Sequence, residues 1–121
     1  MEAPIEEAWC VSEINKINNV LGEQFVKNWI KRRIAKHIST KAIWIREEAV
    51  LDEPLYLGTK ENARTVRFAP AGFKALAEVL IYGDNVMMIT TIQENVATVI
   101  TSRDYATTMK SWFQELWKVS K

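Results

Sequence analysis

Few side chains in this sequence have the types and spacing that chemistry requires. There is one histidine, His37, and one cysteine, Cys10. A catalytic histidine needs an orienting partner and a substrate proton within hydrogen-bond reach, and no partner can be assigned to His37. It falls where a helical pattern hands over to a strand pattern, and a protonated histidine at a helix C-terminus is favourable in its own right. Cys10 lies within the apolar run Ala8-Trp9-Cys10-Val11, the setting of a buried, inert thiol rather than a nucleophile. A lone cysteine cannot close an intramolecular disulfide, so a reduced, cytoplasmic setting is expected. No two carboxylates are spaced for shared acid–base work, and Asp84 reads as a turn residue. Gly22, Gly58, Gly72 and Gly83 are too scattered to form a phosphate loop. The expectation is a chain that is not an enzyme and needs neither cofactor nor metal.

One charge pattern stands out. From Lys27 to Arg46 there are seven basic residues (Lys27, Lys31, Arg32, Arg33, Lys36, Lys41, Arg46) and no acidic one. At helical spacing Lys27, Lys31 and Arg32 point away from the apolar stripe, as a solvated face would. A site for an anionic ligand or an acidic partner surface is the other reading. Arg33 differs from its neighbours: it follows Trp29 by four and Val26 by seven, which puts it on the apolar stripe. From a partly buried position it could reach an anion or a carboxylate.

These residues need elements to position them. Ala8 to Val11 reads as a short buried strand, and Ser12 after it as a helix N-cap. Ile14, Ile17, Leu21, Phe25, Trp29, Ile30 and Ile34 then trace one helical stripe. Gly22 divides it into a short helix and a longer one ending near His37. Ile38 to Ile45 is rich in β-branched and aromatic residues and predicts a second strand, so the opening is a parallel βαβ unit. Glu47 to Asn62 reads as a helical turn and a surface loop, and Arg64 to Ala69 as a third strand stopped by Pro70. Val79 to Tyr82, Val86 to Thr91 and Val96 to Thr101 predict an antiparallel meander, with Tyr82-Gly83-Asp84-Asn85 as its hairpin turn. The last helix runs from Arg103 to about Val119, capped by Ser102. Its stripe of Tyr105, Met109, Trp112, Phe113, Leu116 and Trp117 is expected to bury Trp112 and Trp117 against the sheet. The sum is an α/β fold, a mixed sheet of about six strands packed by helices. In parallel α/β sheets the carboxyl ends of strands face the usual ligand crevice. Ser12 follows the first strand, and Arg46 and Glu47 the second. With Arg33, they are the candidate ligand-binding residues.

At 121 residues the chain is one domain's worth. Its 48% apolar content and five tryptophans supply a core. Sixteen Lys and Arg against 15 Asp and Glu give a net charge of +1, which argues against nucleic-acid binding by the domain as a whole. Met1 to Ala8 carry three glutamates and no apolar run, unlike a signal peptide. No apolar stretch reaches the roughly 20 residues that cross a bilayer, so no membrane partner is expected.

The segment FVKNWIKRRIAKHISTKAI, Phe25 to Ile43, resembles the amphipathic helix, basic turn and strand of TrmB-like transcription regulators. LIYGDNVMMITT followed by VATVITSRDYATTMKSWFQELWK is similar to the end of their effector domain. There a Tyr-Gly-Asp hairpin (here Tyr82, Gly83, Asp84) precedes two strands and a helix closing in Phe-x-x-x-Trp (Phe113, Trp117). The likeness runs from about Ala8 to Val119 and lies in order and spacing rather than in any chemical motif. It implies one half of a phospholipase D-like fold. That enzyme family needs His-x-Lys with an Asp five residues after the Lys. Placing the Asp on Asp84 puts Ala77 and Val79 at the His and Lys positions, and a shift of one puts Leu76 and Glu78 there, so the resemblance implies a catalytically empty fold.

The family also carries a winged helix-turn-helix domain ahead of the effector domain. Only about seven residues precede the first strand here, so that domain is expected to be absent from this chain, which then reads as a fragment. The resemblance thus implies a single effector-sensing and dimerisation domain, residues 1–121, forming a homodimer and taking a small-molecule effector. It would meet DNA only through the missing winged-helix domain. Two alternatives stand beside it: a phospholipase D-like hydrolase domain, and a small nucleic-acid-binding module using residues 27–46.

Overall fold

The computed structural model describes residues 7–13, 22–45, 57–74, 77–90, 94 and 96–121. Six strands and two helices are described: β1 (Glu7–Ser12), α1 (Glu23–Ala35), β2 (Ser39–Trp44), β3 (Arg64–Phe68), β4 (Glu78–Tyr82), β5 (Asn85–Ile89), β6 (Ala97–Thr101) and α2 (Arg103–Val119). The strands form one mixed sheet in the order β3-β2-β1-β4-β5-β6. β1 runs parallel to β2 and β2 to β3, while β4 is antiparallel to β1 and opens the meander through β5 to β6. This is the mixed sheet packed by helices that the sequence predicts.

Local chemistry explains the joints. Gly83, at φ 60°, makes the tight turn between Tyr82 and Asn85 that a side chain would strain. Ser102 is extended and its Oγ accepts the Tyr105 amide at 3.2 Å, the N-cap expected for α2. α1 begins after Gly22 and ends at Ala35, with His37 turning the chain at a φ of 60° before β2. The expected Ser12 cap is not made. Ser12 is the last residue of β1 and its buried hydroxyl has no hydrogen-bond partner. The short helix before Gly22 and the helical turn near Glu47 lie outside the described residues.

Strand alternation sends side chains to two faces, and both are covered. On one face Val26 and Ile30 of α1 pack on Cys10, Ala42 and Trp44. On the other, Ala106 and Phe113 of α2 pack on Val11, Ile43, Ile81 and Val86. Trp9, Phe113 and Trp117 stack there, with centroids 5.1 and 5.8 Å apart. Arg67 lies 4.6 Å over the Trp117 ring and donates to the Trp117 carbonyl at 2.7 Å.

Two expectations about the helices are corrected. Trp112 is 66% exposed, not buried. The line of α2 that meets the sheet passes through Ala106, Phe113 and Ser120, one residue (about 100° of helix rotation) round from the line of Tyr105, Trp112 and Val119. Likewise α1 seats Val26, Ile30 and Arg33 inward, leaving Phe25 57% and Trp29 39% exposed.

Candidate ligand-binding site

Between α1 and the sheet lies a cavity of about 320 Å³. Its walls are apolar, with Phe25 and Trp29 from α1 opposite Leu80, Met87 and Ile89 from the meander. Its polar lining comes from Ser12, Thr40, Arg64 and Glu78, each placed by strand register. Thr40 faces Arg64 across the β2–β3 pair. One step beyond the Val11–Val79 pair, the register sets Ser12 opposite Glu78. Ser12 and Thr40 are 1% and 3% exposed. Ser12 Oγ, Thr40 Oγ1 and Glu78 Oε2 are shut away from solvent with no hydrogen-bond partner. A larger depression of about 570 Å³ runs past Leu57, Lys60 and Thr65 outside β3. It is open to solvent.

The low dielectric of the cavity shows in its titrating groups. Burial pushes the Glu78 carboxyl up to about 8, and the nearby Ser12 hydroxyl opposes that shift without closing a hydrogen bond of good geometry. The residue as a whole is only half-buried; the carboxyl oxygen Oε2 is what water cannot reach. Burial, and then the Glu78 charge, push the Cys10 thiol up well beyond its usual value, so a thiolate is not at hand. Arg64 lies 5.5 Å over the Trp44 ring. Among the described residues no three His, Cys, Asp or Glu side chains group as metal ligands.

The structure separates the four sequence candidates. Ser12 lines the cavity. Arg33 is 3% exposed, on the inward side that its spacing predicts, and its guanidinium is engaged by carbonyls. Nη1 donates to Ile38 at 2.8 Å and Ala63 at 3.2 Å, and Nη2 to Asn62 at 2.8 Å. Burial, and then the Arg64 cation, lower its pKa to about 10. Arg46 and Glu47 lie outside the described residues. Thr40, Arg64 and Glu78 are absent from the sequence-based set, although strand period places them there. Thr40 alternates with Ala42 and Trp44, Arg64 with Val66 and Phe68, and Glu78 with Leu80.

No family model and no curated protein matches the sequence. Among solved structures the chain is similar to TrmBL2, an archaeal chromatin protein with a novel mode of DNA binding, at a TM-score of 0.67 and 14% identity. The similarity shows a shared fold. It covers 95% of this chain and 45% of that one, so this chain spans less than half the length of TrmBL2.

Proposed function

We propose that this chain is a non-catalytic, effector-sensing and dimerisation domain of a TrmB-like transcription regulator. The observation that carries the sensing role is the cavity, an apolar pocket with orphaned buried oxygens inside a fold shared with TrmBL2. Pockets that bind small molecules have this make-up, largely apolar with a few placed polar groups. The absence of catalysis is supported by the state of the two nucleophile candidates. His37 is exposed on a turn, and burial holds Cys10 as a thiol.

A thermal-shift screen of a metabolite panel tests the sensing role. A ligand that binds only the folded state raises its stability in proportion to the logarithm of ligand concentration. A compound that does so should lose its effect in Met87→Trp, which fills the cavity. Shifts that persist in that variant would place the ligand elsewhere.

Dimerisation has its own support on α2. Tyr105, Met109, Trp112, Leu116 and Val119 recur in steps of four and three, the spacing of a helix-pairing seam, with Met109 and Leu116 partly covered by the sheet. Trp112 and Val119 are more than half exposed on it. In this reading a second copy covers the seam through a two-fold axis. In the same reading contact with DNA belongs to a winged-helix domain of the regulator rather than to these residues. The exposed bases Lys31, Arg32 and Lys36 then form a solvated face of α1.

A further inference from the structure

In folded proteins about nine in ten or more buried polar groups have a hydrogen-bond partner. Here Ser12 Oγ, Thr40 Oγ1 and Glu78 Oε2 have none, and all three residues line one apolar cavity. Each orphan carries the cost of a lost hydrogen bond, which a ligand head placed among them would remove. We propose that the cavity takes a neutral amphiphile: an aliphatic body ending in one uncharged head, of the primary-alcohol class, that both donates and accepts hydrogen bonds. The inference rests on the cavity being the ligand site.

The body is matched by Phe25, Trp29, Leu80, Met87 and Ile89. A volume of about 320 Å³ is at the low end of small-molecule pockets, which run from roughly 300 to 1,000 Å³. At roughly 30 Å³ per water-sized group, it suits about ten heavy atoms. The head is matched by the three oxygens. The three oxygens are closed to water as the side chains stand, so a side-chain rotation turns one towards the head. The alcohol O–H then donates to it while its oxygen accepts from a Ser12 or Thr40 hydroxyl.

Charge is selected against from both sides. An ammonium would lose its water and enter beside Arg64 and Arg33, whose positive fields both act on Cys10 in the cavity wall. A carboxylate would be desolvated against apolar walls. Arg33 is held by three carbonyls, and Arg64, which lines the cavity, lies over the Trp44 ring. Desolvating an unpaired ion costs several kcal/mol. Burial likewise raises the Glu78 carboxyl to about 8, the direction expected of a site that disfavours charge.

The test titrates the full chain at pH 7 with 1-octanol, octanoate, octylamine and 1-fluorooctane, the last having the alcohol's size but no hydroxyl. Tryptophan fluorescence reports binding, since Trp29 and Trp44 line the cavity. 1-Octanol should bind roughly tenfold tighter than each of the others, the scale of one or two net hydrogen bonds. That advantage should survive in Glu78→Gln, which keeps a neutral donor and acceptor. It should fall towards unity in Ser12→Ala/Thr40→Val and in Glu78→Leu, while 1-fluorooctane still binds and so reports an intact cavity. Equal affinity for 1-octanol and 1-fluorooctane, or tighter binding of octanoate or octylamine, would overturn the proposed head while leaving the cavity a ligand site. Binding of none of the four would remove the ligand site itself.

Discussion

Arg33 Nη2 donates to the carbonyl oxygen of Asn62 at 2.8 Å, tying α1 to the turn that leads into β3. With the bonds from Nη1 to Ile38 and Ala63, one guanidinium satisfies three carbonyls that would otherwise be desolvated for nothing. Arg33→Ala should therefore cost roughly 2–4 kcal/mol in urea unfolding, because it removes buried donors and leaves their acceptors behind. Lys31→Gln and Arg32→Gln, on the exposed side of α1, should each change stability by less than about 1 kcal/mol. A loss in Arg33→Ala no larger than in the other two would mean that the tie holds nothing.

Glu78 gives the protein a dependence on pH. Its carboxyl is raised to about 8 in the fold and ionises near 4.3 in an unfolded chain. The folded state therefore holds the proton more tightly. Glu78 costs the fold nothing extra below pH 4, and a growing amount as pH climbs from about 4.5 to 8. Each pKa unit is worth about 1.4 kcal/mol, so the effect is large against a total of about 5–15 kcal/mol. Wild-type protein should melt at a lower temperature at pH 8.5 than at pH 5, and Glu78→Gln should remove most of that difference. An unchanged pH profile in the variant would mean that the carboxyl is solvated.

The two lines of α2, one buried and one exposed, predict opposite outcomes for neighbouring aromatics. Phe113 is buried between Trp9 and Trp117, and Phe113→Ala should cost on the order of 3–5 kcal/mol. Trp112→Ala should cost less than about 1 kcal/mol in the isolated chain. Thermal melts of both variants at low concentration check this, and a large loss in Trp112→Ala would contradict its exposure.

Most of the architecture was legible because it depends on local rules. The Gly83 hairpin, the Ser102 cap and the alternating apolar strands each sit at or close to the residues that those rules name. The site was less legible for a specific physical reason. A glutamate at the start of a strand, like Glu78, has the composition of a solvent-facing residue, and only the sheet order reveals that β1 and α1 enclose it. Trp112 failed in the opposite direction. A stripe wide enough to include it spans more of the helix than one sheet can cover, and the residue volume alone could not say which flank stays outside. Arg33 was rightly set on the inner side of its helix, but two of its three carbonyl partners come from a turn some 30 residues on, beyond the reach of helical spacing.

If the seam on α2 pairs two chains, sedimentation at micromolar concentration should give a species near twice the 13.9 kDa of one chain. Trp112→Glu would place a charge at the middle of that seam in both copies, so it should return the protein to the mass of one chain without unfolding it. A monomeric wild type, or a dimer untouched by Trp112→Glu, would remove the seam as the interface.

Purified protein should not hydrolyse phosphodiesters, with or without divalent metal, since the positions that a phospholipase D-like motif would need hold Ala77 and Val79, or Leu76 and Glu78. Turnover that disappears in His37→Ala would refute this.

The place of β1 at the middle of the sheet also governs how the chain can fold. β4, β5 and β6 are joined by close neighbours in sequence and can zip together locally, as the turn from Tyr82 to Asn85 allows. The β1 pairing is of another kind, for Ala8 meets Tyr82 from the far end of the sequence. Pairings of such high contact order form slowly, because the long intervening chain must be ordered first. A molecule that has closed its meander and stacked β2 on β3 still carries two bare strand edges with apolar side chains on both faces, and either edge can recruit a strand from another chain. The insertion of β1 fills that slot, and its speed decides whether a nascent chain becomes a domain or an aggregate.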